Sequence, residues 1–243
     1  MHHKQVCCPV FNEAIRYAAA YLGDLGFEIQ HTADEQTKHL LLPVPSFPSA
    51  DAFFDSSLDT LPPNIRISGG NFNDRLSQFQ TVDFLKDAAY LADNAAITAS
   101  CAIEIIKNRI SSLNGCSVLI IGWGRIGKCL SHLLGKADAD VTVAARKDTD
   151  RAMIHALGYR SISIADAASE TLRARVILNT VPEMVLPNIN AHPDCVILEL
   201  ASRPGMSGAN ITDARGLPNK MAPAASGKLI AQTFIRLSLG EEV

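Results

Sequence analysis

Val118-Leu119-Ile120-Ile121-Gly122-Trp123-Gly124-Arg125-Ile126-Gly127 is the stretch of this 243-residue chain that decides its fold. The four β-branched and aliphatic residues at its start read as a strand. After the glycines, Ile126, Cys129, Leu130, Leu133 and Leu134 recur at helical spacing. The order is therefore strand, turn, helix, and each glycine has a physical reason within it. Gly122 permits the tight turn, Gly124 lets the backbone approach a pyrophosphate, and Gly127 allows the helix to pack closely on the strand. Unpaired N–H groups and the helix dipole at the new helix start favour an anion there. The expected fold is α/β, with a Rossmann parallel sheet in the C-terminal part that binds a nicotinamide dinucleotide through Gly122, Trp123, Gly124, Arg125, Ile126 and Gly127.

The next strand is expected at residues 140–145, ending in Ala144-Ala145. Enzymes that take NAD place an acid near this strand end, where it bonds the ribose hydroxyls. Here Ala145 is followed by Arg146 and Lys147, a pair of cations better suited to a 2′-phosphate. NADP(H) is accordingly expected in preference to NAD(H). The alternative, that the two are solvated loop charges, stays open because Asp148 and Asp150 are close by.

Two further apolar strands complete a ligand-facing edge. Residues 176–178 lead into Asn179-Thr180-Val181-Pro182, and residues 196–200 lead into Ala201-Ser202-Arg203-Pro204-Gly205. Parallel strands share a carboxyl edge, so both loops open on the side of the glycine turn. Asn179, Thr180, Val181, Pro182 and Ala201 are assigned to the cofactor. Arg203, with Ser202 beside it, is assigned to a substrate carboxylate through a bidentate pair, against the alternative of a surface or capping arginine.

Working back toward the N-terminus, apolar residues recur at helical spacing over 11–25, with Asn12 as N-cap and Gly26 just past the end. Short strands are expected at 27–29, 40–44 and 65–67, and residues 45–63, with four prolines, read as loop. Ser68-Gly69-Gly70-Asn71 follows a strand directly, which makes Ser68, Gly69 and Asn71 candidates for the substrate side; an ordinary glycine turn is the alternative. A helix is expected over 94–110 with Ile97, Cys101 and Ile105 on one face, after a polar Ala92-Asp93-Asn94 turn taken as the domain boundary. The division is then 1–93, a smaller N-terminal α/β lobe, and 94–243, the nucleotide domain.

Bulk properties exclude several classes. With 22 basic and 25 acidic residues and a formal net charge of -3, the chain has no basic tract to follow a nucleic-acid backbone. No apolar run approaches the ~20 residues of a bilayer span and no signal pattern opens the chain, so a cytoplasmic location is expected. The six cysteines form no CxxC pair and no zinc-ligand spacing. They read as small core hydrophobes, with neither a metal site nor a catalytic thiol implied. His192 sits in a loop entering a strand and reads as solvated, which leaves no His/Glu pair for a D-2-hydroxyacid dehydrogenase.

From Asp93 onward the chain resembles the dehydrogenase-like component, the A component, of the dipicolinate synthase family. The matching pieces are the 122–127 turn, Ala145-Arg146-Lys147, Asn179-Thr180-Val181-Pro182, Leu200-Ala201-Ser202-Arg203-Pro204-Gly205, Gly216-Leu217-Pro218, Ala222-Pro223 and Gly227. Leu42-Pro43-Val44 and Ser68-Gly69 carry a weaker match in the first lobe. The resemblance implies a flavodoxin-like or Rossmann-like first lobe, a cleft between lobes, and NADP-linked formation of dipicolinate from a dihydro- or hydroxy-tetrahydrodipicolinate, in sporulation. The partner it implies is a flavoprotein-like B subunit; a homo-oligomer is expected.

Departures from the family are specific. Its Thr-Ala-Glu-Gly stands here as Thr98-Ala99-Ser100-Cys101, which puts Ser100 where a carboxylate is usual and makes it a further candidate for the substrate side. Its Lys-Thr-Ala-Gly stands as Ala224-Ala225-Ser226-Gly227, which removes a cation. The segment between Gly205 and Gly216 is shorter, and the N-terminus looks trimmed to a first strand at 6–8. No catalytic acid or base is assigned, and a catalytically reduced nucleotide-binding subunit or sensor of the same fold is the alternative function.

Overall fold

The structure, a computed structural model, describes residues 5–240. Contacts divide the described residues into two units: 5–94 together with 218–240, and Ala95–Leu217. A single cut at Asp93 therefore needs correction at its C-terminal end. Residues 218–240 fold with the first unit, where Gly227 of their helix lies against residues 14–18.

The first unit holds β1 (Gln5–Cys7), α1 (Glu13–Asp24), β2 (Glu28–Gln30), β3 (His39–Leu41), α2 (Asp51–Ser57), β4 (Arg66–Gly69) and β5 (Gln80–Asp83). All pairs are parallel, in the order β2-β1-β3-β4-β5, the flavodoxin-like form of a doubly wound sheet. The α1 start is as its sequence predicts: the Asn12 side chain accepts the Ile15 N–H at 3.0 Å, and Gly26 follows the helix at φ +85°. Leu40, Ile65, Ile67 and Phe54 form the core on one face, with Phe47 stacked on Phe54 at 5.7 Å. Two elements depart from expectation. Residues 51–57 are helical inside the proline-rich stretch because Phe54 anchors them in the core. The strand β5 is a partly exposed edge strand whose Gln80-Thr81-Val82-Asp83 shows no apolar alternation.

The returning segment forms α7 (Leu217–Met221), α8 (Pro223–Phe234) and a π-helical turn, Ile235–Leu239. A Cβ on Gly227 would lie 2.7 Å from the Tyr17 Cβ and 2.8 Å from the Ala18 nitrogen, so α8 meets α1 at a point where only glycine fits. The segment is held further by Arg66 donating to the Ser238 carbonyl at 2.5 Å and by an Arg236–Asp87 ion pair.

The division between units falls inside α3 (Ala88–Lys107), so residues 92–94 are helical and not a turn. Its 20 residues, with mean hydropathy 1.2 over an 18-residue window, are long and apolar enough to cross a membrane. They also carry Asp93 and Glu104 and bury Tyr90, Ala99, Ala102 and Ile106, so the buried face is offset from Ile97 and Ile105.

The second unit holds β6 (Ser117–Ile121), α4 (Arg125–Gly135), β7 (Asp140–Ala145), α5 (Asp148–Ala156), β8 (Arg160–Ser163), α6 (Ala167–Glu170), β9 (Val176–Asn179), β10 (Val196–Glu199) and β11 (Ile211–Asp213). Its sheet is entirely parallel in the order β11-β10-β9-β6-β7-β8. Read from β8, this is the Rossmann order, with its reversal between β6 and β9. Central strands are buried on both faces, hence the unbroken apolar runs of β6, β9 and β10. The last strand, β11, has only three residues, in keeping with the short segment before it.

Candidate functional site

The first turn beyond β6 is built as its glycines require. Gly122 has φ +105°, a conformation that L side chains rarely adopt, and a Cβ there would meet Val181 at 2.9 Å as well as the Thr180 hydroxyl. A Cβ on Gly127 would collide with the Gly122 carbonyl, which is how α4 comes close to the strand. Gly124 differs from both: nothing lies within 4 Å of its would-be Cβ. It is also the N-cap of α4 and offers no side chain to the first-turn N–H groups of that helix. The open space and the uncapped N–H groups are the features an anion needs at this end of a helix.

Beside this turn lies a cavity of about 520 Å³, lined on one side by Gly122, Trp123 and Gly124, on another by Ala145, Arg146 and Lys147, and on a third by Val181 and Pro182. That volume is within the roughly 300–1,000 Å³ range of small-molecule sites. Arg146 and Lys147 are exposed, and neither makes an ion pair among the described residues. Asp148, a possible neutraliser, is engaged by Arg151, whose guanidinium also donates to the Ala145 and Arg146 carbonyls at 2.9 Å each. Asp150 lines the cavity as well. Arg151 was not legible as a site residue, yet it clamps the β7 end from which both cations project.

On the other side of the strand reversal, the loops after β9 and β10 are joined through one acid. Glu199 is 3% exposed and accepts four hydrogen bonds. One oxygen takes the Asn179 amide at 2.8 Å and the Ala201 N–H at 3.1 Å; the other takes the Gly205 N–H at 2.8 Å and the Met206 N–H at 3.2 Å. Asn179 in turn holds both the N–H and the carbonyl of Val181. A Cβ on Gly205 would lie 2.5 Å from the Asn179 amide nitrogen and 2.7 Å from the Glu183 carbonyl, so the two loops touch at a position open only to glycine.

Among the expected cofactor residues, then, Gly122, Trp123, Gly124, Ala145, Arg146, Lys147, Val181 and Pro182 share one cavity. Arg125 and Ile126 open α4 beside it. Asn179 and Ala201 are corrected to interior roles: both are buried, and the Asn179 side chain faces Glu199. Thr180 donates its hydroxyl to the Ile121 carbonyl at 2.9 Å, which ties the β9 loop to the end of β6. Arg203 and Ser202 are exposed at the tip of the β10 loop.

Expected substrate residues outside this loop fare differently. Ser68 is fully buried, and its hydroxyl bonds that of Ser238 at 2.8 Å, so it is not available to a ligand. Gly69 is hemmed in by Ser46, and Asn71 is exposed at φ +60°. Ser100 is exposed, with its hydroxyl donated to the Ala96 carbonyl at 3.0 Å. Burial pushes the Cys7 thiol up to about 12 and the Cys195 thiol up to about 11, as befits core cysteines rather than nucleophiles. His192 is exposed and bonded within its own loop to Asp194.

The Glu199 latch was missed, although a signal for it exists. An acid that directly continues the apolar run Val196-Ile197-Leu198 sits where a charge needs partners, and a glycine follows six residues on.

No family model matches the chain. Over 143 residues, 54% of the chain, it is 28% identical to the A component of dipicolinate synthase from Bacillus subtilis (strain 168). That alignment covers 48% of the relative, so the chain spans about half the length of the curated protein it matches. Among solved structures, the A component of dipicolinate synthase from Bacillus halodurans superposes with a TM-score of 0.84 at 20% identity, over 97% of each chain. A transhydrogenase from Sinorhizobium meliloti superposes at 0.69 with 12% identity, over 96% of this chain and 95% of that one. The chain thus resembles the A components of dipicolinate synthases in sequence and shares with both structures a fold of two parallel sheets flanked by helices.

Proposed function

We propose that the second unit binds a nicotinamide dinucleotide, NADP(H) in preference to NAD(H), and that the chain is the dinucleotide-binding subunit of a cytoplasmic oxidoreductase of the dipicolinate synthase type. The observation that carries this reading is the open cradle at the strand reversal: free space where a Gly124 Cβ would stand, an uncapped α4, and at the end of β7 Arg146 and Lys147, which make no ion pair among the described residues. The α4 N–H groups hold the pyrophosphate, and Arg146 and Lys147 hold the 2′-phosphate by charge-assisted bonds. Bound there in its oxidised form, the nicotinamide would supply the two-electron hydride acceptor that oxidation of a dihydrodipicolinate to dipicolinate requires. The substrate is a cyclic dicarboxylate, a dihydro- or hydroxy-tetrahydrodipicolinate, and the product is dipicolinate. Arg203 meets a substrate carboxylate with its planar fork of donors, and Ser202 lies beside it. The partners of this reading are further copies of the chain and a flavoprotein-like B subunit. A second reading, a protein of the same fold with reduced chemistry, is favoured by Ser100, whose exposed hydroxyl is bonded within its own helix.

Calorimetric titration with NADPH and NADH tests the cofactor reading. NADPH is expected to bind at least tenfold more tightly, and the Arg146→Ala/Lys147→Ala double variant to lose that advantage while keeping NADH affinity. Each charge-assisted bond removed costs on the order of 1.5–3 kcal/mol. Equal affinities in the parental chain would overturn the preference. Dipicolinate formation followed by absorbance, with and without the B subunit, separates the enzyme from the reduced protein.

A further inference from the structure

Resting on the dinucleotide reading, we infer that Glu199 is a positioning residue for the nicotinamide half of the site: its buried carboxylate ties the β9 loop to the β10 loop and presents Arg203. A carboxylate accepts only, and here each oxygen receives two N–H groups, one from the Asn179 side chain and three from the Ala201, Gly205 and Met206 backbone. The three backbone donors lie at the two ends of the 201–206 loop. The chain therefore wraps around the carboxylate and leaves Arg203 exposed at the apex.

The fourth donor crosses to the other loop. Asn179 grips Val181 on both its N–H and its carbonyl, and Val181 lines the cavity beside Gly122. One acid thus holds the cavity wall at Val181 and the arginine tip in a single rigid assembly. Gly205 seals it, its carbonyl receiving the Val185 N–H at 2.8 Å. A dinucleotide lies across the point where strand order reverses. With the 2′-phosphate cations at the end of β7, the adenosine half belongs to that side, and the nicotinamide half belongs to the side of β9 and β10 that Glu199 organises.

Two consequences separate this role from plain stability. Glu199→Gln replaces one acceptor by a donor facing two N–H groups that cannot turn away, so it loosens both loops while leaving the β6 turn, α4 and the end of β7 as they are. Asn179→Ala removes the donor that crosses between loops together with both bonds to Val181, leaving the carboxylate its three backbone partners. The experiment titrates 2′,5′-ADP, which carries only the adenosine half, and NADPH against the parental full-length chain and both variants, with amide exchange of the unliganded proteins at residues 179–186 and 201–206. In Glu199→Gln, 2′,5′-ADP affinity is expected within twofold of parental, NADPH affinity reduced tenfold or more, and exchange accelerated in both segments. In Asn179→Ala, which keeps the 201–206 loop tied, a smaller NADPH loss is expected, with exchange accelerated chiefly at 179–186. Unchanged NADPH affinity, parallel loss of 2′,5′-ADP, or acceleration confined to one segment in Glu199→Gln would overturn the positioning role. If Glu199→Gln does not fold, the Asn179→Ala split decides the matter alone. A parental chain that binds neither compound would instead overturn the dinucleotide reading, and the exchange data would still report whether the latch exists.

Discussion

The carboxyl edges of the two sheets use glycine for opposite ends. At the end of β4, a Cβ on Gly69 would lie 2.5 Å from the Ser46 hydroxyl, and one on Gly70 would lie 2.9 Å from both Val44 and Leu85. Ser46 closes this edge itself, accepting the Gly70 N–H at 3.0 Å and donating to the Pro43 carbonyl at 2.9 Å. Beyond β6, a Cβ on Gly124 would meet nothing within 4 Å, and Arg146 and Lys147, which make no ion pair among the described residues, line the same cavity. Both sheets are parallel and doubly wound, so topology alone would nominate either edge. What separates them is whether the space that glycine makes is filled by the protein's own atoms. On the proposed reading, the fold supplies the edge and the space left open there makes the site.

The same side chain placed at both edges puts this contrast under the greatest load. Gly124→Val is expected to abolish dinucleotide binding with the melting temperature nearly unchanged, because the added methyl groups occupy ligand space and not protein. Gly69→Val is expected to lower the melting temperature by roughly 2–10 °C, the consequence of overpacking that costs about 1–3 kcal/mol. Melts and cofactor titrations on both variants check this; a Gly124 variant that binds normally would refute the placement of the site.

A smaller effect is expected at Arg203, which lies in the open unit but away from the cations of β7. Arg203→Ala should leave NADPH affinity within about twofold, yet raise KM or remove turnover in dipicolinate formation with the B subunit present. Arg203→Lys should not rescue, since a point charge lacks the bidentate geometry. An Arg203→Ala protein that loses NADPH as severely as Gly124→Val would reassign the arginine to the cofactor.

The smallest effect belongs to the closed unit. Burial, with the neighbouring Arg66 and Lys38 cations, holds the His39 imidazole below its ordinary 6.5, and its Nδ1 has no hydrogen-bond partner among the described residues. The folded state therefore favours the neutral ring. Its contribution is complete above the unfolded pKa of about 6.5 and is lost as pH falls below it, because the unfolded chain takes up the proton first. Melting temperatures between about pH 7.5 and 5.5 should fall more steeply for the parental chain than for His39→Asn. Identical slopes would show that His39 plays no part in the pH dependence.

Much of the second unit was legible because its signals are local. The β6 turn and α4 announce themselves by glycine spacing and a helical apolar stripe, and β7 ends at Ala145 as its sequence predicts. The first unit was less legible where tertiary contacts override composition. Nothing local says that residues 51–57 coil to bury Phe54, or that Gln80-Thr81-Val82-Asp83 pairs with β4 at an edge. The return of α8 to the first unit depends on the fit of Gly227 against α1, a long-range fact. Asn179 and Ser68 both sit at carboxyl ends of strands, where sequence position points to a ligand. Their side chains turn inward, to Glu199 and Ser238, and strand position does not disclose that a buried partner is waiting.

On the proposed reading, the open edge of the second unit, and not the closed edge of the first, receives the dinucleotide. Amide hydrogen exchange of the full chain with and without saturating NADPH tests it directly. Protection is expected at residues 122–127 and 145–147, with none at 68–71. Protection centred on 68–71, or an unprotected 122–127 turn in a chain that binds NADPH, would contradict it.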